Sequence, residues 1–107
     1  MEDASFNAGT QIAVHVDKEI QDLISPFLER RRHEASLILA ALQRNEYDAI
    51  ASFGHRIAGV GLSFGFGQVA NIGAALETAA GRKQRESIRA LAHDLATYVD
   101  AVQVVFD

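Results

Sequence analysis

Residues 47–80 read YDAIASFGHRIAGVGLSFGFGQVANIGAALETAA. Ile50, Phe53, Ile57 and Val60 recur at three- and four-residue intervals, the spacing that lines one face of a helix, and predict a helix over 47–62. Gly65-Phe66-Gly67 interrupts the pattern. Val69, Ile72 and Leu76 resume it and predict a second helix over 68–80, with Gly81 in the place of a C-terminal glycine. Two amphipathic helices joined by so short a breaker must lie antiparallel, apolar faces together. Outward from this hairpin the same period continues. Upstream, Asp17 is a cap candidate for a short helix through Ile20, Leu23 and Ile24. Ser25-Pro26 reads as a fresh start, serine capping and proline at the first helical position. The helix that follows runs to Arg44 with Leu28, Ala35, Ile38, Leu39 and Leu42 inward, and Asn45-Glu46 is the turn. Downstream, a last helix over 84–106 carries Ile88, Leu91, Leu95, Val99 and Val102 inward. The expected fold is therefore all-α, an antiparallel up-down-up-down four-helix bundle over residues 17–107. Its core is expected to hold Ile50, Phe53, Ile57, Ile72, Leu76, Leu91 and Leu95. Residues 1–16 form a flexible or extended N-terminal segment: the first ten are small and polar, and Gln11 to Val16 alternates as a strand does.

Composition narrows the function classes. The chain of 107 residues is 49% apolar and 22% charged, which suits one soluble core. No apolar run reaches the ~18 residues of a membrane span, and no secretory leader is expected. Without cysteine there is no disulfide, thiol or cysteine-zinc chemistry, and a cytoplasmic address is the default. The net charge of −4 sits at the front. Glu2, Asp3, Asp17, Glu19 and Asp22 face only Lys18, whereas the remainder is neutral. Such a chain is a poor electrostatic match for nucleic acid or an anionic membrane.

The histidines, His15, His33, His55 and His93, match no zinc-helix spacing, and no P-loop occurs. Helical phase separates His55 from the core. At 100° per residue the inward side chains of 47–62 cluster, and His55 points about 180° away from them. Its helix neighbours are Ala51, Ser52, Ala58 and Gly59, a ring of small residues around one imidazole. An ordinary surface histidine would look the same, and His33 and His93 also point outward. The glycines add a distinction. Gly54 and Gly61 fall at the edge of the buried face, where they admit a neighbouring helix. Gly59 faces water, so packing does not explain a residue that costs roughly 1 kcal/mol against alanine; clearance for something docking over the imidazole does. Independently, His55 lies eleven residues before Phe66 and Glu77 eleven after it. Antiparallel helices bring residues equidistant from their turn to one level. A Glu77 carboxylate there would accept a hydrogen bond from one ring nitrogen and leave the other free as a nucleophile; a solvated helix carboxylate is the alternative.

His55-Arg56-Ile57-Ala58-Gly59, then Gly65-Phe66, then Leu76-Glu77, resembles the histidine-containing phosphotransfer (HPt) domain. That family's pattern is a histidine, a lysine three later, glycines four and ten later, and a Glu or Gln twenty-two later. His55, Gly59, Gly65 and Glu77 match; Ala58 stands where lysine is usual. The resemblance, which extends from about Val16 to the C-terminus, implies a phosphoryl shuttle between receiver-domain aspartates. His55 would be the phospho-acceptor, Glu77 its orienting partner, and Gly59, Ala58, Ala51 and Ser52 the docking clearance. It implies no cofactor or metal on this chain, since magnesium would belong to the receiver. The implied partners are response-regulator receiver domains and a hybrid histidine kinase, met by a monomer. Ala58 leaves the phosphoryl group without its usual cation, for which Arg56 is a substitute candidate or an ordinary exposed arginine. Arg30-Arg31-Arg32 reads as a solvated face. Two other readings remain at this point: a helical module that binds a receiver or kinase without accepting phosphate, and the dimerising phospho-acceptor helices of a sensor kinase. The second is weakened by Arg56 in place of the acidic residue usual after that histidine.

Overall fold

The computed structural model describes residues 12–107, and the small, polar first ten residues of the expected flexible or extended segment lie outside them. Strand β1 (Ile12–Val16) leads through a 3-10 turn (Lys18–Ile20) into α1 (Gln21–Gln43), followed by α2 (Tyr47–Phe64), α3 (Gly67–Gly81), α4 (Arg85–Ala101) and strand β2 (Val102–Phe106). The turns between helices are three residues or fewer, so consecutive helices run antiparallel. α1 packs on α2 and α4, and α3 on α2 and α4, which closes the four-helix bundle. Ile38 and Leu42 of α1, Ile50 and Ile57 of α2, Val69 and Leu76 of α3, and Ile88, Leu95 and Tyr98 of α4 are fully or almost fully buried. Phe66, in the α2–α3 turn, is buried too, and Phe27 stacks between it and Phe64 with ring centroids 4.9 and 4.7 Å away.

The expected elements differ from the observed ones at both ends. Asp17 does cap, accepting a hydrogen bond from the Glu19 N–H at 2.9 Å. Ser25-Pro26, however, starts nothing: α1 runs straight through Pro26. Proline there forgoes one hydrogen bond, to the Asp22 carbonyl, near the helix start where both residues are exposed. Leu23, one of the apolar residues of the expected short helix, is exposed. At the other end the last helix stops at Ala101. Val102 to Phe106 leaves it as a strand and pairs in parallel with β1, from Ile12↔Val102 to Val16↔Phe106. The run VQVVF is β-branched and aromatic, and its residues alternate between half-buried and exposed. The five-residue β1 could not stand alone, but its partner lies at the far end of the sequence. Phe53 and Leu91, assigned to the core, are half-buried and pack at its edge. Gly81 is the last residue of α3, and the positive φ of that turn falls on Lys83 at 54°.

The arginine run is also corrected. Arg32 is exposed and pairs with Asp100 of α4. Arg31 is buried, with 5% of its surface exposed, and its Nε donates to Glu34 Oε1 at 2.6 Å, with Glu34 itself 6% exposed. The guanidinium carbon lies 4.9 Å from the centroid of the Phe27 ring. Removing one partner of a buried ion pair leaves an uncompensated charge at a cost of about 3–5 kcal/mol. Glu34→Ala is therefore expected to lower the urea midpoint by the equivalent of about 3 kcal/mol, and Arg31→Met/Glu34→Leu to regain most of it. A Glu34→Ala midpoint equal to wild type would show that the pair contributes nothing.

The glycines set the spacing of α2 and α3. A Cβ on Gly54 would lie 2.6 Å from the Glu77 backbone nitrogen, and one on Gly61 2.6 Å from that of Ala70. Gly73, on the facing helix, touches the backbone of Ala58 and Gly54 in the same way. The two helices thus meet backbone to backbone. Gly65 ends α2 in the left-handed region at φ 82°, which glycine adopts without penalty.

Candidate functional site

The close contact of α2 and α3 brings the expected pair together. Gly54 precedes His55, and its missing Cβ is what allows the Glu77 backbone to lie alongside. The His55 side chain is 77% exposed, and its Nδ1 stands 3.4 Å from Glu77 Oε1, at the outer limit of a hydrogen bond. The level match predicted from the turn at Phe66 is realised in this distance. With an acceptor-only carboxylate opposite, Nδ1 carries the proton and donates, and Nε2 keeps its lone pair.

Around the imidazole, Ser52 and Gly59 are exposed and Ala51 and Ala58 half-buried. A Cβ on Gly59 would meet nothing within 4 Å, so the space above it is open. Ala51, Ser52, His55, Arg56 and Glu77 line one shallow depression. Arg56 does not lean on the imidazole: its guanidinium carbon lies 4.9 Å from the centre of the Phe53 ring, one turn back along α2. Among the described residues it makes no ion pair. His33 and His93 are exposed, and among the described residues neither side chain makes a hydrogen bond or ion pair to a carboxylate. His15 pairs with Asp107 at 3.1 Å, joining β1 to the C-terminus.

One residue of this face was missed. Leu62 is 73% exposed, an unusual position for leucine. It lies seven residues after His55, within about 20° of it around the helix. The phase arithmetic that singled out His55 would have found it. Ser52, His55, Gly59 and Leu62 form one outward stripe of α2, level at its centre with Glu77 of α3. A larger hollow between α3 and α4, lined by Ala74, Thr78, Gln84, Ser87, Ala90 and Leu91, contains no titratable group. Among the described residues no three His, Asp or Glu side chains are placed to hold a metal ion, and no helix is long and apolar enough to cross a membrane.

Four helices carrying an exposed histidine beside a cross-helix glutamate form a recognisable class. The chain matches the family model of the Hpt domain over residues 22–104, and it belongs to that family. Neither the curated proteins nor the solved structures give a match. Hpt domains are phosphocarrier modules of phosphorelays that interact with receiver domains.

Proposed function

We propose that this protein accepts a phosphoryl group on His55 from the phospho-aspartate of a receiver domain and passes it to another. The observation that carries the reading is His55 standing 77% exposed with its Nδ1 at Glu77 Oε1. In the forward step the Nε2 lone pair attacks phosphorus. The N–P bond forms as the P–O bond to the receiver's aspartate breaks, and the aspartate leaves as a carboxylate. Glu77 accepts from Nδ1–H and stabilises the positive charge that develops on the ring. Ser52, Ala51, Ala58 and Gly59 leave room for the receiver face, and exposed Leu62 offers it an apolar contact. Magnesium would be held by the receiver's acidic pocket, and this chain would supply neither metal nor cofactor. The carrier acts as a monomer in the cytoplasm, and a hybrid histidine kinase is a partner of the right kind. Mixing the protein with a labelled phospho-receiver tests the reading: acid-labile, base-stable label is expected on His55. Its absence with every receiver tried would sink it.

Ala58 favours a second reading, a module that binds receivers without taking phosphate, because the phosphoryl group finds no cation one turn along the helix. Arg56 is occupied over Phe53. If the missing charge limits transfer, Ala58→Lys should speed phosphorylation or prolong the phosphohistidine. Hydrogen bonds to charged groups contribute ~1.5–3 kcal/mol, and solvent screening reduces this here, so the expected gain is about tenfold at most. No change in rate or lifetime would mean that the receiver already supplies the positive charge.

A further inference from the structure

Beside the His55 depression lies a second groove, between α1 and α2, whose lining includes Arg30, Arg31, Glu34, Leu37, Phe53 and Arg56. Its charge is unbalanced. Glu34 is consumed by Arg31, the neighbouring Glu29 faces Arg32, and among the described residues Arg30 and Arg56 have no carboxylate partner. Arg31 is the built part of the site. Only its Nε makes a hydrogen bond, while its two Nη groups make none among the described residues and neither is sealed from solvent. Arg31 lines the groove, held in place by the Nε–Glu34 bond and the Phe27 ring. A fixed guanidinium edge is a planar, two-pronged donor that matches a carboxylate. The floor supplies apolar surface, with Leu37 exposed at 38% and Phe53 half-buried under Arg56.

We infer that this groove seats an acidic segment of the receiver partner, an Asp or Glu side chain followed by an apolar one. The carboxylate accepts from Arg31 Nη and is flanked by Arg30 and Arg56, and the apolar side chain lies on Leu37 and Phe53. The partner follows from continuity: Arg56 lines both this groove and the His55 depression, so a protein seated over His55 extends across it. The inference rests on the function proposed above. It also gives Arg56 a task different from charge compensation at the phosphoryl group: recognising which receiver docks.

The test has two arms. In the first, the full chain labelled with nitrogen-15 is titrated with acetyl-Asp-Leu-Glu-Leu-amide, with the neutral acetyl-Asn-Leu-Gln-Leu-amide, and with inorganic phosphate. The acidic peptide is expected to move the resonances of Arg30, Leu37, Phe53 and Arg56 and the Arg31 Nε–H. The neutral peptide should not, and Arg30→Glu, a change at an exposed position, should weaken the effect at least about tenfold. Equal shifts with the neutral peptide, shifts with phosphate alone, shifts elsewhere on the surface, or an unaffected Arg30→Glu would each overturn the inference. In the second arm, Arg30→Glu is expected to raise the concentration of labelling receiver needed for half-maximal transfer by about tenfold. Added salt should do the same to wild type and less to the variant. An unchanged half-saturation would overturn the inference even if the first arm succeeded. If no receiver labels His55, the proposed function fails, while the peptide arm still decides what the groove binds. Circular dichroism of Arg30→Glu, and Arg30→Gln as the milder change, control for folding.

Discussion

His55→Gln is expected to take no label from any phospho-receiver while the bundle remains folded. The imidazole is 77% exposed and Glu77 is its one hydrogen-bond partner among the described residues, so glutamine at this position removes the nucleophile without opening a cavity. The other histidines lack the constellation. His93 is exposed and makes no hydrogen bond to a carboxylate among the described residues, and His15 is tied to Asp107, so their glutamine variants should label normally. Glu77→Ala should fall between. The ring loses one orienting acceptor, an interaction worth ~1–1.5 kcal/mol, which corresponds to transfer about tenfold slower. The measurement is receiver-to-protein transfer for the four variants, with circular dichroism beside it. Persistent labelling of folded His55→Gln would move the acceptor elsewhere.

The second large effect separates two glycines of one helix pair. Gly59→Gln is expected to leave thermal stability unchanged or higher, since an open, exposed helix position loses its glycine penalty of roughly 1 kcal/mol. Transfer should nevertheless fall by about thirtyfold or more, the equivalent of an interface hot spot of ~2 kcal/mol, because the side chain occupies the space above the imidazole. Gly73→Ala should do the reverse at first. Its methyl group would press on the backbone of Ala58 and on the Gly54 carbonyl oxygen, the latter 2.7 Å away. Backbone atoms cannot rotate aside, so α2 and α3 must separate, at a cost near the upper end of the usual overpacking range, about 3 kcal/mol. Transfer would then drop as a consequence, since the same separation lengthens the His55–Glu77 contact. Normal transfer by Gly59→Gln would remove the clearance argument. Wild-type stability of Gly73→Ala would mean the helix spacing is softer than the contacts require.

Local information in the chain determined the helical class, the turns at Asn45 and Gly65, and the outward direction of His55, because all three depend on residues within one or two helical turns. It determined the level of Glu77 as well, since a short turn between antiparallel helices converts sequence distance into height. Tertiary contacts decided the rest. Val102–Phe106 has a period compatible with the end of a helix, and only pairing with β1, ninety residues away in the chain, makes it a strand. Pro26 carries a start signal, but the packing of α1 against α4 outweighs one lost hydrogen bond on an exposed turn. Arg31 sits in a run of three arginines and looks solvated; its burial depends on Glu34 closing the pair as α1 packs on its neighbours. Phe53 has the inward period yet stays half-buried, because α2 gives its innermost contacts to α3, where Gly54, Gly61 and Gly73 let the backbones touch. That choice between neighbours is a property of shape, which no single helix encodes.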